Sequence, residues 1–288
     1  MRTGRQLLYA GAISGIGLGV RSIVGQPLPL SVVGVASAAF TAIVLAGVFE
    51  PRLAMFADVL VRGERCRQAP RVALTFDDGP SEETTPRVLD LLESAGAKAT
   101  FFVVGRKLDQ GRKKIAREAV SRGHAVGCHS FAHDRLFALR STTYVRQDLA
   151  RALVAIEDAV GVPTKLFRPP IGHTNPTIAR VAEELGLTIV GFSVRGYDGL
   201  ASARPEAVAK RIVGGLRDGA IALMHDGAER DDFSPAAPAA LPRILEAMAD
   251  RGLAGVTIPQ LLSPDDVDRE EAAAAPSAQG TTAPASRA

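Results

Sequence analysis

The chain has 288 residues and a formal net charge of only +3, with basic and acidic side chains interspersed along it. It has no basic stripe and no aromatic platform, so nucleic acid is not an expected partner. The length allows one large domain with its own core, and two cysteines, Cys66 and Cys128, are too few to indicate a redox compartment.

Residues 1–62 differ in composition from the rest and are predicted to anchor the chain to a bacterial-type inner membrane. Residues 31–49 carry no charge and are long enough to span a bilayer, although a buried core helix has the same composition. Residues 7–20 are shorter and rich in glycine, which fits a second span, a re-entrant piece or a signal-like segment. Arginines on both sides of these stretches leave the side of the membrane that holds the catalytic domain open.

From residue 71 onward, apolar runs alternate with helical patterns that end at glycines such as Gly96, Gly123 and Gly161. Seven strands are predicted, at 71–76, 99–104, 125–128, 165–168, 187–193, 220–224 and 255–258. Regular alternation implies parallel strands joined by right-handed crossovers, hence an α/β fold. A (β/α) barrel is expected over a catalytic domain at 63–263, with an open doubly wound sheet as the alternative. Residues 264–288 are mostly Ala, Pro, Ser and Thr and are predicted to form a disordered tail.

Polar side chains gather where the predicted strands end. In a (β/α) barrel the carboxyl ends of all strands lie on one face, which is where active sites are built. Chance would scatter such residues over both faces. The residues that share this placement are Asp77, Asp78, His129, His133, Arg168, Arg195, Asp198, His225 and Asp226.

Three of these residues are candidate metal ligands. His129 and His133 are spaced i, i+4, and on a helical turn this spacing puts both imidazoles on one side. With Asp78 they form a two-histidine, one-carboxylate set, which leaves positions open as catalytic metal sites do. The alternatives are two surface histidines and a turn-capping Asp. Cys128 is a rival ligand, but as a strand residue next to His129 it is expected to point away.

The remaining polar residues are candidates for proton transfer. His225 follows an apolar strand and is a candidate general acid, with Asp198 as the carboxylate that orients it. Arg168 is placed to pair with Asp77 and keep it ionised, although an ordinary ion pair at the barrel rim is the alternative.

Four motifs combine these residues in a fixed order. They are T-F-D-D-G-P at 75–80, H-S-x-x-H at 129–133, R-P-P-x-G at 168–172 and L-M-H-D at 223–226. With these motifs the chain resembles the polysaccharide deacetylases, the NodB-homology domain of carbohydrate esterase family four, over roughly residues 70–262.

The resemblance implies a deformed (β/α)7 barrel and metal-dependent hydrolysis of N-acetyl groups on amino-sugar glycans of the peptidoglycan or chitin type. It implies a divalent metal, with zinc as the default, held by Asp78, His129 and His133. Asp77 resembles the general base, Arg168 its partner, and His225 the general acid with Asp198 behind it. The expected substrate and oxyanion residues are Pro170, Ile171, Gly172 and His173, with the backbone N–H of Ile171 facing the oxyanion.

The chain departs from the family pattern in its fourth motif, which usually reads D-x-x-D-W. Arg195 and Gly199 stand at the positions of the first Asp and the Trp, and Ile171 replaces an aromatic in the third motif. The glycan, its length, the oligomeric state and the choice between N- and O-deacetylation remain open. The alternatives are an O-acetyl esterase, a deacylase of lipid-linked sugars, and a catalytically weak, membrane-tethered glycan-binding module.

Overall fold

The computed structural model describes residues 3–25, 27–66 and 69–262. The tail predicted at 264–288 lies outside these residues. In the described part, a helical hairpin at the N-terminus is followed by a curled parallel sheet with helices packed around it.

Two apolar helices form the N-terminal hairpin, α1 (Thr3–Val24) and α2 (Leu30–Phe49). They pack closely, because a Cβ atom on Gly11 would lie 2.9 Å from the ring of Phe40. The short apolar stretch at 7–20 therefore belongs to one longer helix, which continues past Arg21. By length and composition both helices could cross a membrane, and most of their large apolar side chains are exposed.

Nine strands are present among the described residues, and every strand-to-strand pairing is parallel. The strands are β1 (Val59–Leu60), β2 (Arg71–Asp77), β3 (Ala99–Val103), β4 (Ala125–Cys128), β5 (Leu166–Phe167), β6 (Thr188–Val190), β7 (Val194–Arg195), β8 (Ala220–His225) and β9 (Ala254–Gly255). The sheet order is β1-β6-β5-β4-β3-β2-β8-β7, and β9 pairs with the start of β2.

The sheet curls because one stretch of chain reaches both of its ends. Only part of the predicted strand at 187–193 forms β6, which pairs with β5 and β1. Just beyond it, β7 pairs with β8 at the other end of the sheet. Beyond β1, Arg62 bridges to Ala220 at the start of β8. This closure confirms the expected barrel rather than the open sheet. It also places residues 59–62, which by composition belong to the predicted anchoring segment, within the sheet.

Helices cover the outside of the sheet, and their ends follow the local sequence. Ser141 and Asn175 cap α6 (Thr142–Val160) and α7 (Pro176–Glu184) by accepting hydrogen bonds from backbone N–H groups, and Gly161 ends α6 with φ 79°. The helical pattern that ends at Gly123 is interrupted, because Gly111 adopts φ 98°. The helices are α3 (Thr84–Ser94), α4 (Gly105–Lys107), a π turn (Leu108–Arg112), α5 (Lys113–Ser121), α6 (Thr142–Val160), α7 (Pro176–Glu184), α8 (Pro205–Gly215), α9 (Ala237–Asp250) and α10 (Ile258–Leu262).

The main core lies between the sheet and these helices. The rings of Phe76 on β2 and Phe101 on β3 stack with centroids 5.2 Å apart, and both side chains are buried. Side chains alternate between the two faces of a strand, so the burial of Phe76 among the helices sets which face each residue of β2 occupies. The last residue of β2, Asp77, lies at the carboxyl end of the sheet.

Candidate active site

A cavity of about 470 Å³ opens at the carboxyl ends of the strands. It collects side chains from five separate segments of the chain, as expected for the catalytic face of a barrel. Six of the predicted catalytic and metal-binding residues line it, together with Ile171 and Gly172 of the predicted substrate site; the six are Asp77, Asp78, His129, His133, Arg168 and His225.

Asp78, His129 and His133 converge on one point. Asp78 Oδ1 lies 3.3 Å from His129 Nε2 and 3.0 Å from His133 Nε2, and the three residues are buried. His129 Nδ1 lies 2.7 Å from the carbonyl oxygen of Arg168. Because a carbonyl only accepts, this contact places a proton on Nδ1, so Nε2, which faces Asp78, carries the lone pair when the imidazole is neutral.

The chemistry of this cluster fits a divalent cation. Asp78 Oδ1 is buried and has no hydrogen-bond partner within the described chain. Burial raises the pKa of Asp78, but His129 and His133 outweigh it and hold the pKa well below its usual value, so the carboxylate is ionised. A carboxylate oxygen and two imidazole nitrogens within 4.8 Å of one another are a donor set for a first-row metal with open positions.

The two histidines are brought together by a loop, and the helical turn inferred from their spacing is wrong. Ser130 and His133 adopt positive φ angles of 64° and 50°, which a helix does not allow. Asp148 on α6 holds the loop by accepting from the N–H groups of Phe131 at 2.8 Å and Ala132 at 3.0 Å. This role of Asp148 was not predicted; its signal in the sequence is a single acidic residue on the otherwise apolar buried face of α6.

Arg168 and Asp77 form a buried ion pair next to the cluster. Arg168 Nη1 lies 2.6 Å from Asp77 Oδ1 and also donates to Thr75 Oγ1 at 2.8 Å. The rest of the guanidinium donates to the carbonyls of Val190 and Gly191. Arg168 is only 1% exposed, so these contacts lock Asp77 Oδ1 in place. Asp77 Oδ2 stays near the cluster, 3.8 Å from His129 Nε2.

His225 and Asp198 form a second polar pair on the cavity wall. His225 Nδ1 lies 3.0 Å from Asp198 Oδ1, and Asp198 is fully buried. Burial lowers the pKa of His225, but the carboxylates of Asp198, Asp78 and Asp77 outweigh it and raise the pKa to about 9. His225 is therefore a protonated imidazole at neutral pH.

The sequence of this chain is similar to those of known deacetylases. The family profile described as polysaccharide deacetylase matches residues 64–190. The chain is 39% identical over 191 residues to a peptidoglycan-N-acetylglucosamine deacetylase of Listeria monocytogenes, covering 66% of this chain and 38% of that protein. It is 32% identical over 206 residues to a chitooligosaccharide deacetylase of Sinorhizobium fredii, covering 67% of this chain and 92% of the relative. The chain belongs to the polysaccharide deacetylase family.

A solved structure supports the same assignment. The family 4 acetyl xylan esterase of Clostridium thermocellum, in complex with a cobalt ion, is 36% identical with a TM-score of 0.61, over 66% of this chain and 89% of that one. The fold is thus that of carbohydrate esterase family four. This chain spans only 38% of the length of the Listeria relative, so the two proteins are not equivalent as wholes.

The third family motif forms a strained turn at the cavity rim. Ile171 has φ 60° and Gly172 has φ 79°, and both line the cavity. A left-handed conformation is an outlier for a β-branched residue and costs roughly 1–3 kcal/mol, so surrounding contacts must hold it. Pro170 is buried, and the ring of His173 packs edge-on against Phe49 with centroids 4.8 Å apart. His173 thus contacts α2 and is not among the residues that line the cavity.

Two segments of the rim are contacted from the N-terminal side of the chain. The N–H of Thr174 donates to the carbonyl of Val48 on α2 at 3.2 Å. Arg52 donates to the carbonyls of Phe192 at 3.4 Å and Ser193 at 2.9 Å. The end of the hairpin is therefore attached to the cavity rim.

The fourth motif lines the cavity despite its departures from the family pattern. A Cβ atom on Gly199 would lie 3.1 Å from His225 Cε1, so this glycine lets the loop pass close to the imidazole. Tyr197 has φ 58°, and its ring lies under the guanidinium of Arg195, whose Cζ is 4.0 Å from the ring centroid.

Asp226 is a buried acid that our sequence reasoning left without a role. Thr85 Oγ1 donates to its Oδ2 at 2.6 Å, Thr84 Oγ1 donates to its carbonyl, and its N–H donates to the carbonyl of Asp77. Burial raises the pKa of Asp226 to about 7. These bonds tie the end of β8 to the end of β2.

Proposed function

We propose that this chain is a metal-dependent deacetylase that hydrolyses N-acetyl groups of amino-sugar glycans of the peptidoglycan or chitin type. The observation that carries the proposal is the Asp78–His129–His133 cluster, which shares one cavity with the Asp77–Arg168 and His225–Asp198 pairs. The printed names of the Listeria and Sinorhizobium relatives support the substrate class.

Asp78, His129 and His133 would hold the metal. Zinc is the default for two imidazoles and one carboxylate with open positions, and other first-row ions suit the same donors. When bound, the ion supplies a Lewis acid that polarises the acetyl carbonyl and lowers the pKa of water.

The protein's own groups carry the protons. Asp77 Oδ2 is the general base that takes a proton from the attacking water, while Arg168 holds Oδ1 and so fixes the direction of the free oxygen. The backbone N–H of Ile171 donates to the developing oxyanion, a role that needs no side chain and so tolerates the exchange of an aromatic for isoleucine. His225 is the general acid that protonates the departing amine, and Asp198 orients its ring.

The helical hairpin within residues 1–62 is proposed to anchor this domain to a bacterial-type inner membrane, with the catalytic domain at 63–263 joined by β1 from the end of the anchoring segment. Two helices long and apolar enough to cross a membrane, with their apolar surfaces exposed, support this division. The side of the membrane that holds the domain is not assigned.

A second candidate is hydrolysis of O-acetyl esters on a glycan. The similarity to a protein named as an acetyl xylan esterase favours it, and the same base, acid and metal ligands serve an ester as well as an amide. The leaving group separates the two: an amine needs a proton from His225, whereas an alcohol leaves more easily without one.

Acetate release tests the proposal. The full chain is assayed on N-acetylglucosamine oligomers and on acetylated xylan, as isolated, after chelation, and after Zn²⁺ is restored. We expect release from the amino-sugar oligomers that is lost on chelation and regained with Zn²⁺. The double variant Asp77→Asn/His225→Ala is the inactive control. Release from xylan alone would support the second candidate, and no release from either would leave the deacylase of lipid-linked sugars and the glycan-binding module.

A further inference from the structure

The charged side chains around the cavity are mostly paired. Arg168 pairs with Asp77, His225 pairs with Asp198, and Arg135 Nε lies 2.8 Å from Glu229 Oε2. On a further loop, Arg230 and Asp232 bring opposite charges two residues apart.

Arg195 lines the same cavity without such a partner. Across residues 3–25, 27–66 and 69–262, no carboxylate pairs with its guanidinium and no acceptor takes a hydrogen bond from it. Its backbone is fixed, because β7 pairs with β8 and sets Arg195 opposite Leu223.

Aromatic rings hold the guanidinium of Arg195 by its face. Its Cζ atom lies 4.0 Å from the ring centroid of Tyr197 and 5.9 Å from that of Phe192. Cation–π contacts of this kind occupy the faces of the planar guanidinium and leave its N–H groups free at the edge. A held guanidinium loses less side-chain entropy when it binds a ligand.

The conformation of Tyr197 supports a built site. Its φ of 58° is uncommon for an aromatic residue, and this turn brings the ring beneath Arg195. Arg211 fixes the turn by donating to the carbonyl of Gly196 at 3.2 Å, and its own Cζ lies 5.5 Å from the Tyr197 centroid. A second positive charge thus lies near the first.

We propose that Arg195, stacked on Tyr197, binds an anionic substituent of the glycan, either a carboxylate or a phosphate. Both groups present two oxygens at the spacing of the guanidinium fork, so a bidentate contact is possible with each. The inference rests on the proposed function, because it takes the acetylated sugar to bind in the same cavity.

The anionic group lies close to the reacting sugar. Arg195 and Asp198 belong to one short loop, and the next residue, Gly199, packs against His225. The usual fourth motif of the family has Asp at the position of Arg195, so this chain reverses the charge there. An Asp at this position would repel an anionic glycan, whereas Arg195 attracts one. The exchange therefore favours anionic over neutral glycans by removing a repulsion and by adding an attraction.

The test measures how fast the Zn²⁺-loaded full chain hydrolyses three oligomers of equal length. One is neutral N-acetylglucosamine oligomer, one carries a carboxylate on a lactyl ether, and one carries a phosphate at the reducing end. The readout is the ratio of kcat/KM for each anionic oligomer to kcat/KM for the neutral one. We expect the wild type to prefer one of the anionic oligomers, and the preferred one identifies carboxylate or phosphate as the ligand.

Variants at position 195 test whether Arg195 causes the preference for an anionic oligomer. Arg195→Ala is expected to lower the ratio about tenfold to a hundredfold, the range for losing a charged hydrogen bond, and mainly through KM. Arg195→Lys keeps the charge without the fork and is expected to retain part of the ratio, whereas Arg195→Asp inverts it. Arg204→Ala removes an exposed arginine that does not line the cavity and is the matched control.

Direct binding separates this inference from the proposed function. Calorimetric titration of the three oligomers into Asp77→Asn and Asp77→Asn/Arg195→Ala requires no turnover. A preference for an anionic oligomer that Arg195→Ala removes supports the inference even where the wild type releases no acetate. Equal binding of all three oligomers, or a preference that survives in Arg195→Ala, overturns it and leaves the deacetylase proposal untouched.

Discussion

Asp198 holds His225 by two hydrogen bonds. Its Oδ1 lies 3.0 Å from the ring Nδ1 of His225, and its Oδ2 accepts the backbone N–H of the same residue at 2.8 Å. The first bond sets the ring proton on Nδ1 and points Nε2 into the cavity, and the second fixes the backbone from which the ring projects. One buried carboxylate therefore sets the position, tautomer and charge of the proposed acid.

The His225–Asp198 pair predicts how kcat falls at alkaline pH. The raised pKa of about 9 keeps His225 protonated at neutral pH, so kcat should fall as pH rises through that value. Asp78 and Asp77 also contribute to the raised pKa of His225. A bound cation offsets part of their negative charge, so the fall in kcat should then occur at a somewhat lower pH. Asp198→Asn is expected to lower kcat by about 10²-fold or more and to move this fall toward the ordinary histidine pKa. A pH profile of kcat that is unchanged in Asp198→Asn would contradict the pairing as a catalytic feature.

Loss of the base should stop turnover without removing the metal. Asp77→Asn keeps the shape of the side chain but cannot take a proton, so kcat is expected to drop about 10²- to 10⁴-fold. Asp77 Oδ2 is 3.8 Å from His129 and is not in the converging cluster, so metal content by elemental analysis should stay near that of the wild type. Asp250→Asn, at the end of α9, is the control. Activity close to wild type in Asp77→Asn would remove the base from the mechanism.

The proposed ligands should govern metal content. His129→Ala and His133→Ala each remove one of three donors, and bound metal after dialysis is expected to fall to background. His124→Gln is the control, because His124 is buried away from the cavity, where its Nδ1 accepts from the N–H of Ala99. If the two alanine variants retain stoichiometric metal, the ion binds elsewhere.

Arg168 should matter for stability as much as for rate. Arg168→Met leaves the buried carboxylate of Asp77 without its counter-charge, and breaking such a pair costs about 3–5 kcal/mol of unfolding free energy. Neutralising the partner as well, in Arg168→Met/Asp77→Asn, should recover part of this loss. Urea unfolding of the two single variants, the double variant and the wild type measures the coupling. Additive losses would mean that the two side chains do not stabilise each other in the fold.

The regular part of the fold was predictable because local patterns and global topology agree. Long apolar strands such as β2 and capped helices such as α6 are determined by short stretches of sequence. The two-residue strands β1 and β7 were not predicted, because Val59–Leu60 and Val194–Arg195 are too short to show a period and depend on pairing with distant strands.

The gathering of the proposed site residues in one cavity was predictable, but the backbone that arranges them was not. Asp77 and His225 were placed at the site because each follows a predicted strand. The roles of the other site residues were inferred from the order of the four motifs. The left-handed conformations of Asp78, His133 and Ile171 contradict local preference and are imposed by surrounding contacts. For that reason, the i, i+4 spacing of the histidines suggested a helical turn where the chain has a loop.

The attachment of α2 to residues 173–174 and of Arg52 to residues 192–193 has a geometric consequence. With the hairpin embedded in a lipid bilayer, as proposed, the catalytic opening would be held at a constant height above the lipid headgroups. The reach of the enzyme would then be limited to sugars that approach within that layer, whatever the total length of the polymer to which they belong.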